Sequence, residues 1–374
     1  MADQTKIEWS DATWNIITGC SIKSPGCKNC YAMKLAGSRL KDHPSRQGLT
    51  EEVNGNIVWT GEVRFNEDWL DQPMRWSKPR MIFVCAHGDL FHEKVEDAWL
   101  DLIFGVMALC PHHIFQVLTK RSDEMRGYCS ELGNPDRILK IGGALEEFFG
   151  DQVREEEIVD ALRRLRQGWL PNVWLGVSAE DQVSADERIA DLLSIPAAVH
   201  WVSYEPATGP IDFTRLACDL GGHEALGYRL DALAGYIVAE GGRIVTDAQG
   251  KLDWIVAGGE SGPGARPAHP DWFLHCRDQC MATGTAFLFK QWGNWRRRPI
   301  AEGERIPLPG PKDKKLQFIA HDGSRTSAGQ GVLMERVNKG TAGRTLDGKI
   351  WDQFPRSVAA IGPGHIDQGA EVVR

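Results

Sequence analysis

The chain has 374 residues, 42% of them hydrophobic, and a formal net charge of −8. That length suits one large α/β domain with insertions, or two domains. The negative balance argues against a protein that coats polyanions, which needs many Lys and Arg contacts, but it leaves room for a local basic groove or a small nucleotide substrate.

A short strand near Trp14–Thr18 is expected to run into TGCSIKSPGCKNCYA, which carries Cys20, Cys27 and Cys30, and Cys30 opens a helical stretch to about Lys41. Residues 48–66 read as a small β excursion. Buried-strand runs then recur at 81–86, 113–119, 172–178, 198–205, 252–260 and 286–292. Helical patterns separate several of them, at Val95–Leu109, Glu155–Arg166, Ala185–Leu193 and Pro270–Thr283. Strands alternating with helices predict parallel β/α units. Each strand ends in polar or glycine-rich residues, where β/α barrels assemble their active sites. The expected fold is therefore α/β, an incomplete (β/α) barrel of about six parallel units. It occupies residues 1–295, with insertions at about 48–80, 121–168 and 217–251, the last a lid or a surface excursion. Residues 296–374 form a C-terminal extension packing on the barrel. No apolar run approaches the roughly 20 residues of a spanning helix, so no membrane partner is expected. Nine cysteines without an export signal predict a reducing compartment, the cytoplasm.

Three close cysteines outside an oxidising compartment point to a metal. A structural zinc site takes four ligands, and His43 or Cys85 would supply the fourth. A [4Fe–4S] cluster normally takes four cysteines, so three leave one iron open. Cys85 and Cys110 lie in apolar runs and read as core; Cys276 and Cys280, four apart on a helix, read as structural. Gly19 and Gly26 give the cysteine loop backbone freedom.

A three-cysteine loop after the first strand of a β/α barrel resembles the radical S-adenosylmethionine (radical SAM) superfamily, although its commonest spacing is three residues then two, and here it is six then two. The segments TGC…GCKNCYA, DLFHE, VLTKR, WLGVSAEDQ, YEPATGPID, VAGGESGPGARP, FKQWG and GRTLDGKIWDQFP resemble a phage and prophage family of radical-SAM-like proteins. The resemblance implies that Cys20, Cys27 and Cys30 hold a [4Fe–4S] cluster, with Tyr31 beside it. It also implies that SAM chelates the open iron and is cleaved reductively to a 5′-deoxyadenosyl radical that removes a substrate hydrogen. An electron donor such as flavodoxin or ferredoxin follows.

By the same resemblance, Asp89 in HGDLFHE is the first candidate for the SAM amino group, with His87 and His92 behind it; as a residue it is equally a helix cap. Ser178 and Glu180 are placed for the ribose or methionine carboxylate of SAM, with Asp181 as a cap. Glu205 points into the barrel mouth and needs a ligand or basic partner. Lys120 and Arg121 end the third strand and suit a carboxylate or phosphate. Gly258, Gly259 and Glu260 open a glycine-rich run whose N–H groups suit an anion or adenine, or simply a tight turn. Arg266 is a candidate substrate clamp, and Lys290 faces either the cavity or solvent. Trp292 and Trp295 flank Arg296–Arg298, which suits base stacking or ordinary packing.

Some phages hypermodify thymine, and the resemblance implies a substrate of that kind: a modified nucleobase in DNA or a nucleotide, with isomerisation of a glycine-bearing thymine as the reaction. Radical repair of a DNA lesion, as in spore photoproduct lyase, is the competing enzyme reading. A zinc-stabilised phage DNA-binding protein is the non-enzymatic one.

Overall fold

The computed structural model describes residues 5, 7–218, 227–300, 302, 304, 313–326 and 330–356. Seven strands form its central sheet: β1 (Ala12–Trp14), β2 (Met81–Val84), β3 (Ile114–Thr119), β4 (Val173–Ser178), β5 (Val199–Tyr204), β6 (Trp254–Gly258) and β7 (Ala286–Gln291). They lie in chain order and every neighbouring pair is parallel. The sheet curves into a half-barrel and does not close, since β1 and β7 are its two edges. The six expected runs all join it, and the short first strand does too, at Ala12–Trp14 rather than near Trp14–Thr18.

Period-two alternation divides the strand side chains. Phe115, Val117, Leu175, Val177, Val202 and Ile255 face outward into the main core, which packs against α2 (Asp97–Leu109), α6 (Gln182–Leu193) and α7 (Pro270–Thr283). On the inner face Trp174, Trp201 and Trp254 meet Trp9 in a second cluster. Ring centroids lie 5.2 Å apart for Trp9 and Trp201, and 5.5 Å for Trp201 and Trp254. The close fit demands a glycine at 176, where a Cβ would overlap the Trp201 indole. These indoles fill the half-barrel near the strand N-termini. Two or four residues further along the same inner faces come Ser178, Ser203, Glu205 and Lys290, so the alternation carries polar groups to the C-terminal mouth.

The 121–168 insertion forms three helices, α3 (Ser122–Ser130), α4 (Pro135–Phe149) and α5 (Glu155–Leu165), with α4 and α5 packed on α2. The short α1 (Tyr31–Ala36) follows the cysteine loop and ends in turns well before Lys41. Residues 48–66 give a hairpin (Thr50–Val53 with Asn56–Trp59) and a strand, Val63–Phe65, paired with Ile17–Gly19. The described part of 217–251 adds antiparallel strands beside Leu216–Ala217. After β7 a four-stranded antiparallel sheet forms, and the chain returns to the half-barrel: Phe354 stacks on Trp254 at 5.2 Å, and Trp254 Nε1 donates to the Gln353 carbonyl at 2.9 Å. The tail beyond 356 lies outside the described residues.

Candidate active site at the mouth of the half-barrel

The cysteine loop begins at Gly19, whose φ of +94° and contact with the Glu62 carbonyl leave no space for a Cβ. A bridge to Gly88 ties this point to the loop after β2. A single 3₁₀ turn, Pro25–Asn29, carries Cys27, and Cys30 is the N-cap of α1. All three cysteines line one cavity of about 1170 Å³ at the strand C-termini. Burial, then the charge of Asp89, raise the Cys20 thiol to about 12, against the opposing pull of Arg121. Cys27 and Cys30 add to the same field. Among the described residues no three His, Cys, Asp or Glu side chains are drawn together closely enough to hold a metal ion as they stand.

Three buried polar groups anchor this loop. At Ser21, the hydroxyl accepts from Arg121 Nη2 at 2.5 Å and meets Glu93 at 3.1 Å and His92 Nε2 at 3.1 Å. Arg121 also donates to Cys20 Sγ at 3.7 Å and to Asp89 Oδ2 at 3.0 Å. At Ser24, the hydroxyl donates to Glu180 Oε1 at 3.2 Å. Glu180 is also paired with Lys120 and, at 3.1 Å, with Arg188. Burial pushes its carboxyl up, yet Lys120 and Arg188 outweigh burial and hold it below the usual range. At Asn29, the amide donates to Glu260 Oε2 at 3.0 Å and to the Gly264 carbonyl at 2.9 Å. Arg266 grips both Glu260 oxygens, at 2.9 and 2.8 Å, and donates to the Pro25 carbonyl at 3.1 Å.

The floor of the mouth is simpler. Glu205 accepts from Lys290 at 2.8 Å and from Gln291 at 3.0 Å, and Ser178 and Ser203 lie on the same cavity wall. The basic partner expected for Glu205 is therefore Lys290, which faces the cavity.

Of the candidate residues, Cys20, Cys27, Cys30, Asp89, Lys120, Ser178, Glu205 and Glu260 line the cavity, and Glu180, Gly258, Gly259 and Arg266 do not. Several carry duties other than those expected. Asp89 accepts from Thr119, Phe91 N, Lys120 N and Arg121, so all its acceptor positions are occupied by the protein. It is not a helix cap either, because Glu96 precedes α2. Glu180 and Arg266 hold the cysteine loop, and a charge already spent on a buried partner is unavailable as a ligand clamp. The Gly259 N–H donates to the Gln291 carbonyl at 2.9 Å, and a Cβ there would overlap Trp292, so close packing explains this glycine better than an anion cradle. A Cβ on Gly258 would stand 3.2 Å from the Glu205 carboxyl carbon. Asp181 does cap α6, accepting from Ser184 N at 3.0 Å. Cys85, Cys110, Cys276 and Cys280 are buried as expected. Trp295 is buried, and Arg296 and Arg298 pair with Glu335 and Glu304, so that run packs and pairs within the protein. None of the described residues of 217–251 lines the cavity.

Sequence reasoning passed over Ser21, Ser24, Asn29, Arg188 and Arg46. Arg46 lies in an irregular polar stretch without periodicity, and a basic side chain beside a proline turn in an acidic chain was its one signal. Its guanidinium donates to His87 Nδ1 at 2.7 Å and to Ser45 Oγ at 2.7 Å.

Among the described residues no helix is long and apolar enough to cross a membrane. No curated protein and no solved structure matches the chain. A family profile described as "Protein of unknown function (DUF5131)" matches residues 4–355, nearly the whole length. The chain belongs to the DUF5131 family.

Proposed function

We propose that this protein is a radical SAM enzyme acting on a modified nucleobase, with isomerisation of a glycine-bearing thymine in phage DNA as the reaction. The observation that carries the reading is the meeting of Cys20, Cys27 and Cys30 on one cavity at the C-terminal mouth of a parallel half-barrel. The donor set fits in kind: three thiols are soft ligands suited to iron–sulfur chemistry, and they share one cavity wall, although they are not drawn together as a metal-holding group as they stand. Held by these three, a [4Fe–4S] cluster with SAM would supply one-electron cleavage of SAM and hydrogen-atom abstraction.

The chain's own residues do the rest. Arg121 places an N–H against Cys20 Sγ, a contact of the kind that tunes cluster potential. Glu180, Glu260 and Arg121 fix the loop at three points, so its thiols are presented without a large ordering cost. The tryptophan floor keeps water from entering through the barrel base. Lys290 and Gln291 hold the Glu205 carboxylate at the mouth, where it accepts from a ligand N–H or O–H. A flavodoxin or ferredoxin would deliver the electron.

The test is anaerobic reconstitution with iron and sulfide, reduction with dithionite and addition of SAM. A changed electron paramagnetic resonance signal and formation of 5′-deoxyadenosine are expected, followed by altered nucleosides when modified phage DNA is supplied. A reduced cluster indifferent to SAM sinks the reading. Turnover of lesion-bearing DNA alone would select radical repair. One observation favours a second reading: His43 and Cys85 line the same cavity as the three thiols, so either is a potential fourth zinc ligand. Stoichiometric zinc in protein purified without added metal would select a zinc-stabilised binding module.

A further inference from the structure

The buried and half-buried cations around the mouth are matched by carboxylates: Lys120 and Arg188 by Glu180, Arg121 by Asp89 and Glu93, Arg266 by Glu260, and Lys290 by Glu205; Arg39, which also lines the cavity, is exposed to solvent. Arg46 breaks that pattern. It lines the same cavity, is only 4% exposed, and meets no carboxylate among the described residues. Three donor contacts are made, two to Ser45 and one to His87. Of its five N–H groups, Nε–H is buried without a partner and one further donor is left over.

The surroundings add positive character. Arg64 lies close enough for its charge to act on Arg46, and it is bonded to the Pro44 and Gln47 carbonyls. Arginine can only donate, so the His87 ring accepts from it on Nδ1. Its Nδ1 is occupied by the arginine, so the remaining proton sits on Nε2, and His87 also lines the cavity. Two adjacent donors thus stand at the cavity without an acceptor among the described residues. A buried cation without a counter-ion is costly unless something supplies the charge.

We infer that Arg46, with His87 beside it, is the oxyanion subsite of this cavity and receives a phosphate or carboxylate group of the substrate. The inference deepens the proposed function by naming the substrate's charged handle, and it rests on that reading only for the word substrate. Tyr31 follows Cys30 directly and lies within electrostatic reach of both Arg46 and Glu205, which places the subsite beside the thiols.

Binding needs no cluster, so the test uses the full-length, metal-free chain. Titration calorimetry would compare thymidine 5′-monophosphate, thymidine and N-acetylglycine. One of the two anions should bind at least tenfold more tightly than thymidine, and which one it is separates a phosphate handle from a carboxylate handle. Arg46→Gln should weaken that anion about tenfold or more, while Arg46→Lys, which keeps the charge, should lose less. Circular dichroism establishes that each variant is folded. If Arg46→Gln is not folded, the wild-type comparison and Arg46→Lys decide alone. Equal binding of thymidine and both anions overturns the subsite, as does unchanged affinity in folded Arg46→Gln. Failure here with SAM cleavage intact would remove the subsite and leave the proposed function standing; anion binding without any iron–sulfur cluster would do the reverse.

Discussion

Two walls of one cavity treat charge in opposite ways. On the side of Glu180, Asp89 and Glu260, the cations meet carboxylates and the resulting pairs grip the cysteine loop. On the side of Arg46 and His87, a buried guanidinium bonds Ser45 and His87, lies 6.0 Å from the Trp69 ring centroid, and meets no carboxylate among the described residues. The first wall is a support, complete within the protein. The second is built to receive something. A charge at the end of a barrel strand that is already paired within the protein therefore does not by itself identify a ligand contact.

The sharpest way to break this comparison is Glu180→Ala. It strands Arg188, which is 2% exposed, together with Lys120, and breaking a buried pair from one side costs about 3–5 kcal/mol. Urea unfolding should register most of that, and a loss below about 1 kcal/mol would show that the support is dispensable.

Acid should act next, on the opposite wall. The folded-state affinity of His87 for a proton is depressed from its ordinary 6.5 to about 4. Its contribution is therefore fully present above pH 6.5 and is lost as pH falls from 6.5 towards 4, where the unfolded chain binds the proton and the folded one does not. The loss should reach up to about 3 kcal/mol. His87→Gln should flatten that part of the stability profile; an unchanged slope would assign it to other groups.

Glu260→Gln removes the charge that Arg266 grips but keeps one acceptor oxygen, and Arg266 is 28% exposed and can turn to water. A loss of about 2 kcal/mol is expected in the same unfolding assay, with slower iron uptake as the loop loosens at Asn29.

The smallest effect should come from Arg46→Met. Removing an uncompensated buried cation for an apolar side chain offsets the loss of three hydrogen bonds, so stability should change by no more than about 1 kcal/mol. A loss as large as that of Glu180→Ala would make Arg46 a structural residue.

Six of the seven sheet strands were legible because each is a short, nearly continuous apolar run bounded by polar residues; the first, expected near Trp14–Thr18, is Ala12–Trp14, and Ile17–Gly19 pairs instead with Val63–Phe65. The helix Pro270–Thr283 was legible to the residue: His269 caps it, Pro270 fits its first turn, and Gly284 ends it at a φ of +75°. Strand-end position also put Ser178 and Glu205 at the mouth, whereas Lys290, open between cavity and solvent by sequence, is turned to the cavity by its bond to Glu205. Position along the chain does not reveal pairing, however. Glu180 and Arg266 read as ligands because their partners, Lys120, Arg188 and Glu260, stand on other loops or a turn away. Arg46 escaped notice for the complementary reason, since what distinguishes it is the missing carboxylate, a property of three-dimensional neighbours alone.

The central claim is that Cys20, Cys27 and Cys30 together hold an iron–sulfur cluster, and metal analysis tests it most directly. Anaerobically reconstituted protein should carry about four irons and about four sulfides per chain. Cys20→Ala, Cys27→Ala and Cys30→Ala should each lose that content, and Cys276→Ala, altering a buried helix-face thiol, should keep it. Full iron in any of the first three variants, or stoichiometric zinc in place of iron in the wild type, would contradict the account.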